Sequence, residues 1–133
     1  MTTIACDGRT MAGDGIITAN DHICLLDHQK VKRLKDGRIV GFVGNSYNWD
    51  AYAEWLESDQ AEPPKMYENF CCIVLMPNGS VRSYDQYGRS FPEKAPIAIG
   101  SGARFALAAM DLGKDAHEAV AYACTRDIYS GGV

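Results

Sequence analysis

No apolar run in this 133-residue chain approaches the ~20 residues needed to cross a bilayer. The first residues lack a charged stretch followed by an apolar one, so no secretory leader is expected. An excess of basic charge is missing too. Thirteen Lys and Arg stand against seventeen Asp and Glu, a formal net charge of -4. A dedicated nucleic-acid binder would carry a basic patch or stripe. The densest basic stretch is only Lys30, Lys32, Arg33 and Lys35, interrupted by Val31 and Leu34. CxxC pairs and Cys/His metal spacings are absent, and the five cysteines are odd in number, leaving at least one unpaired. The adjacent Cys71 and Cys72 read as small buried hydrophobes. Free thiols suit a reducing compartment, which predicts a cytoplasmic protein. No Walker lysine follows Gly100-Ser101-Gly102, which excludes a nucleotide-binding phosphate loop. Repeats, low-complexity tracts and long linkers are lacking as well, so residues 1–133 read as a single domain with a core of its own.

What is present is regular punctuation. Asp7-Gly8, Asp36-Gly37 and Asn78-Gly79 each separate two apolar stretches: Thr2–Cys6 from Thr10–Gly13, Val31–Leu34 from Arg38–Val43, and Phe70–Met76 from Ser80–Tyr84. Each reads as a two-residue hairpin turn with positive φ at both positions. A further short strand, Ile97–Ile99, follows Pro96. Three helices are expected. Asn48–Glu57 carries Ala51, Tyr52, Trp55 and Leu56 at helical spacing. Ser101 is placed to cap a second helix from about Ala103 to Leu112, stopped by Gly113. Asp115 opens the third with Glu118 as a capping box, running to about Thr125. Ser58–Glu68, with Pro63-Pro64, reads as a loop. Hairpins with helices inserted in blocks predict an α+β fold, in which one helix layer is the first helix and the other is the pair after Ser101.

Several residues could carry chemistry. Initiator methionine is normally removed before a small residue, so the mature chain could start at Thr2. An N-terminal threonine brings its own base, because an α-amino group titrates near neutrality. Asp14, in Ala12-Gly13-Asp14-Gly15, is either a turn residue or a buried carboxylate holding a cation. Lys30 is either that cation or one more exposed charge. Gly44, ending a strand before a helix, serves a tight turn or offers an N–H to an oxyanion. Ser101 sits at a similar junction, where capping is the commoner role. Asp127 and Ser130 can form a local hydrogen-bonded loop. His22, His28 and His117 are scattered and read as surface or packed histidines.

Taken in order, Thr2-Thr3-Ile4, Ala12-Gly13-Asp14-Gly15, Gln29-Lys30-Val31-Lys32-Arg33-Leu34, Gly41-Phe42-Val43-Gly44, Ile97-Ala98-Ile99-Gly100-Ser101-Gly102 and Arg126-Asp127-Ile128-Tyr129-Ser130-Gly131-Gly132 resemble the proteasome β-subunit family, which includes the bacterial HslV peptidase. The resemblance covers nearly the whole chain, and its last segment looks more like the proteasome β type. It implies an N-terminal-nucleophile hydrolase: a four-layer αββα sandwich of two antiparallel sheets between helix layers. In that family two long helices lie between the second and third hairpins. Here only the first is evident, and the C-terminal strands are shortened or missing. The implied activity is threonine-type peptide hydrolysis. Thr2 is the nucleophile once Met1 is lost, Lys30 the cation beside it, Asp14 the partner of Lys30 and Gly44 the oxyanion donor. Ser101, Asp127 and Ser130 form a supporting network around the Thr2 amine. Thr18 pairs with the substrate backbone, while Phe42 and Ser46 line the specificity pocket. The implied partners are a peptide or unfolded-protein substrate, further copies of the chain in a self-compartmentalising ring, and an ATP-dependent unfoldase. No nucleic acid or membrane is implied. The chemistry calls for no cofactor or catalytic metal, and an ion near Asp127 would be structural. Two other uses of the fold are a non-catalytic ring or scaffold subunit and an amidase acting on small amides.

Overall fold

The computed structural model of the protein describes residues 2–19 and 22–132. Met1, where the processing step is expected, lies outside them. Strands β1 (Thr3–Cys6), β2 (Met11–Gly13) and β10 (Ile97–Gly100) form an antiparallel sheet with β1 in the middle. Strands β5 (Val31–Arg33), β6 (Ile39–Val43), β7 (Cys71–Leu75), β8 (Val81–Asp85) and β9 (Ser90–Glu93) form a second antiparallel sheet in chain order. Strands β3 (Ile17–Ala19) and β4 (His22–Leu25) make a separate hairpin. Three helices occur among the described residues: α1 (Trp49–Leu56), α2 (Ala103–Asp111) and α3 (Ala116–Cys124).

Side chains alternate across each strand, and this alternation builds the layers. Ile4 and Cys6 of β1 point between the sheets and meet Val43, Ile73, Leu75 and Val81. Ala5 points the other way, into a cluster of small residues from α2 and α3 that includes Ala106, Ala109, Ala119 and Ala123. On the second sheet Val40, Phe42, Cys72 and Val74 face α1, where Tyr52, Ala53 and Trp49 cover them. The result is α1, five-stranded sheet, three-stranded sheet, then α2 with α3. Gly41 sets how closely the sheets approach: a Cβ there would lie 2.6 Å from Ile4 Cγ2 and 2.8 Å from Met11 Sδ.

Local signals explain most boundaries. Asp115 and Glu118 form the expected capping box on α3, with Glu118 N–H donating to Asp115 Oδ1 at 2.8 Å and Asp115 N–H to Glu118 Oε1 at 3.1 Å. Asp7 Oδ2 accepts from Ala116 N–H at 2.9 Å, tying the first hairpin to the same helix end. Residues 58–69 contain no helix, so α1 alone forms its layer among the described residues.

Three expectations need correction. The hairpin turns do not place both predicted residues at positive φ: Gly8, Gly37 and Gly79 adopt it, and Asp7, Asp36 and Asn78 do not. In the second and third hairpins the glycine follows a turn closed by Gly37 N–H to Leu34 C=O and Gly79 N–H to Met76 C=O, as in three-residue loops with a bulge. In the first, Asp7 N–H still bonds Thr10 C=O, so the loop is Gly8-Arg9. Ser101 does not cap α2: Gly102 is the N-cap residue and no side chain bonds there. The Ser101 hydroxyl is bound elsewhere, as described below. Finally, β3, β4 and β9 were not anticipated. β3 and β4 are short, and β4 is exposed along its length, so neither carries a clear alternation. Pro92 lies within β9, which is tolerated because β9 is an edge strand.

Candidate active site

The ends of several strands converge on Thr2, which is buried just before β1. Gly100, its neighbour on β10, has φ 99°, and a side chain there would run into the Thr2 carbonyl. Asp14 follows β2 directly, and its N–H bonds Thr3 C=O at 3.1 Å. Lys30 precedes β5 and is held by the Phe42 N–H, which donates to its carbonyl at 3.0 Å.

Lys30 is the electrostatic centre. Its side chain is fully buried, and Nζ donates to Thr2 Oγ1 at 3.0 Å, Asp14 Oδ1 at 3.0 Å and Ile16 C=O at 2.6 Å. Burial lowers the ammonium pKa from its ordinary value, and Asp14 offsets part of that shift. Asp14 is also fully buried and does more than neutralise. Its Oδ1 accepts from Thr3 N–H at 2.9 Å and its Oδ2 from Gly131 N–H at 3.2 Å. The Gly131 donor was missed from sequence because it is a backbone group on a distant loop.

A second carboxylate organises the other side. Asp127 Oδ2 accepts from Ser101 Oγ and Ser130 Oγ, both at 2.6 Å. Burial raises the Asp127 pKa, but the bonds from Ser101 and Ser130 outweigh it and hold the carboxyl below its ordinary value. Ser101 Oγ also lies 3.3 Å from the Thr2 carbonyl oxygen, and Ser130 Oγ lies 2.7 Å from Thr3 Oγ1. The network therefore reaches Thr3, a residue that sequence reading passed over; the paired Thr2-Thr3 was the only available signal. Cys124 is close enough to feel Asp14, Asp127 and Lys30, yet burial pushes its thiol up to about 11. It stays protonated at neutral pH, which makes it a poor nucleophile.

Gly44 directly follows β6 with φ 98°, and its N–H meets no acceptor among the described residues. Phe42 and Ser46 line one cavity of about 710 Å³ together with His28, Gln29, Trp49 and Asp50. Phe42 stacks on Trp49 with centroids 5.4 Å apart, and His28 lies 5.7 Å from the same ring. Thr18 stands on β3, partly exposed and paired with Ile23, with no hydrogen bond to the Thr2 cluster. No group of three or more His, Cys, Asp or Glu side chains suited to a metal occurs among the described residues. Nor is any helix among them long and apolar enough to cross a membrane.

Two stacked antiparallel sheets between helix layers, with Thr2 just before the central strand of the smaller sheet, define the N-terminal-nucleophile hydrolase fold. Among solved structures, the chain is similar to eukaryotic HslV from Trypanosoma brucei, with a TM-score of 0.73 and 22% identity over 98% of this chain and 94% of that one. BPH from Thiobacillus denitrificans matches in complex with epoxomicin (TM-score 0.72, 16% identity) and without it (0.72, 17%), each over 98% of this chain and 92% of the other. The fold is thus that of HslV- and proteasome-type peptidases. No protein-family model matches the sequence.

Proposed function

We propose that the protein is a threonine peptidase whose nucleophile is Thr2 after removal of Met1. One observation carries this reading: the buried Lys30 ammonium, held by Asp14, donates to Thr2 Oγ1 at 3.0 Å. An ammonium there stabilises negative charge developing on the oxygen and lowers the pKa of a nearby α-amine, keeping it basic at neutral pH.

The Thr2 hydroxyl attacks the scissile carbonyl, its proton passes to the Thr2 amine, and a C–O bond forms. Gly44 N–H supports the oxyanion; removing one such donor costs about 3–4 kcal/mol in other hydrolases. The tetrahedral intermediate collapses, the peptide C–N bond breaks, and the amine returns the proton to the leaving nitrogen. Water then hydrolyses the ester and frees Thr2. Asp127, Ser101 and Ser130 hold the N-terminal strand in place. Thr18 pairs with the substrate backbone in an extended conformation. The cavity bearing Phe42 and Ser46 receives a substrate side chain, with an aromatic floor and a charged rim. A peptidase of this kind working among folded proteins needs containment, which favours assembly into a cytoplasmic ring fed by an unfoldase.

The test is the intact mass of the purified protein before and after incubation with epoxomicin, an epoxyketone that requires both a free threonine amine and its hydroxyl. A chain without Met1 that gains one adduct, together with peptide hydrolysis lost in Thr2→Ala, is the expected result. Retention of Met1 with no adduct would shift the reading to a scaffold subunit. Turnover of small amides but not peptides would shift it to an amidase.

A further inference from the structure

Resting on the peptidase reading, we infer that the hydroxyl of Thr3 is a positioning group for Thr2, coupling the Asp127 cluster to the Asp14–Lys30 pair. Proton counting carries the argument. A serine hydroxyl has one proton to donate. Ser130 donates its proton to Asp127 Oδ2 at 2.6 Å, and Ser101 donates to the same oxygen at 2.6 Å. The 2.7 Å contact between Thr3 Oγ1 and Ser130 Oγ is therefore a bond in which Thr3 donates. The relay has a fixed sense: Thr3 to Ser130 to Asp127, with the negative charge at its end.

Thr3 is the residue that engages both carboxylates. Its backbone N–H donates to Asp14 Oδ1, the oxygen that also accepts from Lys30, and its carbonyl accepts from Asp14 N–H. Its side chain enters the Asp127 cluster through Ser130. The residue is fully buried, and a side chain at Gly102 would collide with its hydroxyl. A hydrogen bond anchored on a carboxylate is stronger and more directional than a neutral one. It fixes rotation of the first strand residues about their axis, and so fixes which way Thr2 Oγ1 faces. A methyl group at the same place fills the volume but anchors nothing.

The experiment compares parent, Thr3→Val, Thr3→Ser, Ser130→Ala and the Thr3→Val/Ser130→Ala double variant in peptide hydrolysis and in epoxomicin labelling. Thr3→Val is expected to lower kcat and the labelling rate about 10- to 100-fold, the range for a catalytic group misplaced by a fraction of its reach. KM and the final one-adduct stoichiometry are expected to stay within about twofold of the parent. Full stoichiometry separates a misplaced nucleophile from a misfolded fraction. Thr3→Ser is expected to restore most of the lost rate, and the double variant to be no slower than the worse single one, because both remove the same bond. If Thr3→Val misfolds, Thr3→Ser against Ser130→Ala carries the comparison. Labelling by Thr3→Val at the parental rate, or strictly multiplicative losses in the double variant, would overturn the inference alone. A parent lacking Met1 that neither labels nor cleaves peptides overturns the peptidase reading, and this inference with it.

Discussion

The Asp14 carboxylate and the Lys30 ammonium meet at 3.0 Å with neither side chain exposed. Such a pair is costly to desolvate and contributes little net stability. Each partner is also tied elsewhere, Lys30 to Thr2 Oγ1 and Asp14 to the backbone of Thr3 and Gly131.

Breaking the pair on one side is expected to be worse than removing it. Lys30→Met leaves a buried, uncompensated carboxylate and is expected to destabilise the fold by about 3–5 kcal/mol. Asp14→Asn/Lys30→Met is expected to recover more than half of that loss while remaining inactive. Denaturant titration of the three proteins beside peptide hydrolysis checks both halves. Activity in the double variant would remove Lys30 from the chemistry.

The pH dependence of epoxomicin labelling is expected to be bell-shaped. On the peptidase reading, the acid limb belongs to the Thr2 amine freed by loss of Met1, whose ordinary value is ~7.7. The alkaline limb belongs to Lys30. Burial depresses its pKa, so the cation is lost below the ordinary lysine value of ~10.4. Labelling rates across the pH range read both midpoints.

Asp127 sets an acid limit on stability. Its folded pKa is lowered, so its contribution is complete above the ordinary carboxylate value of ~3.9 and is lost as pH falls through the folded value. The Tm difference between the parent and Asp127→Asn is expected to be constant near neutrality and to shrink below ~3.9. A difference independent of pH in that range would contradict this assignment.

Gly41→Ala tests the packing of the two sheets. A Cβ would press on Ile4 Cγ2, and the branched Ile4, locked between the sheets, has little room to yield. A loss of about 1–3 kcal/mol is expected, the usual cost of overpacking a filled core. Thermal unfolding of the variant measures it.

The layers were legible in the sequence because they follow from local patterns: Val40 and Phe42 alternate with Gly41 and Val43, and Asp115 with Glu118 announces α3. Asp14 and Lys30 were legible as a possible pair only through the register of several motifs, since neither residue alone differs from a surface charge. Ser101 misled for a physical reason: a serine before a helix usually caps it, but here the competing carboxylate of Asp127 takes the hydroxyl at 2.6 Å. Thr3 and Gly131 were not legible. Their roles depend on contacts across 127 and 117 residues, which no local pattern records.

That separation has a consequence for the chain during its synthesis. Ser130 and Gly131, which close the surroundings of Thr2 and Asp14, are translated more than a hundred residues after them. A nascent chain that has already made Thr2, Asp14 and Lys30 still lacks the loop that orients them. The order of translation acts as a timer, holding the site unassembled until the strands and helices between Lys30 and Ser130 have been made.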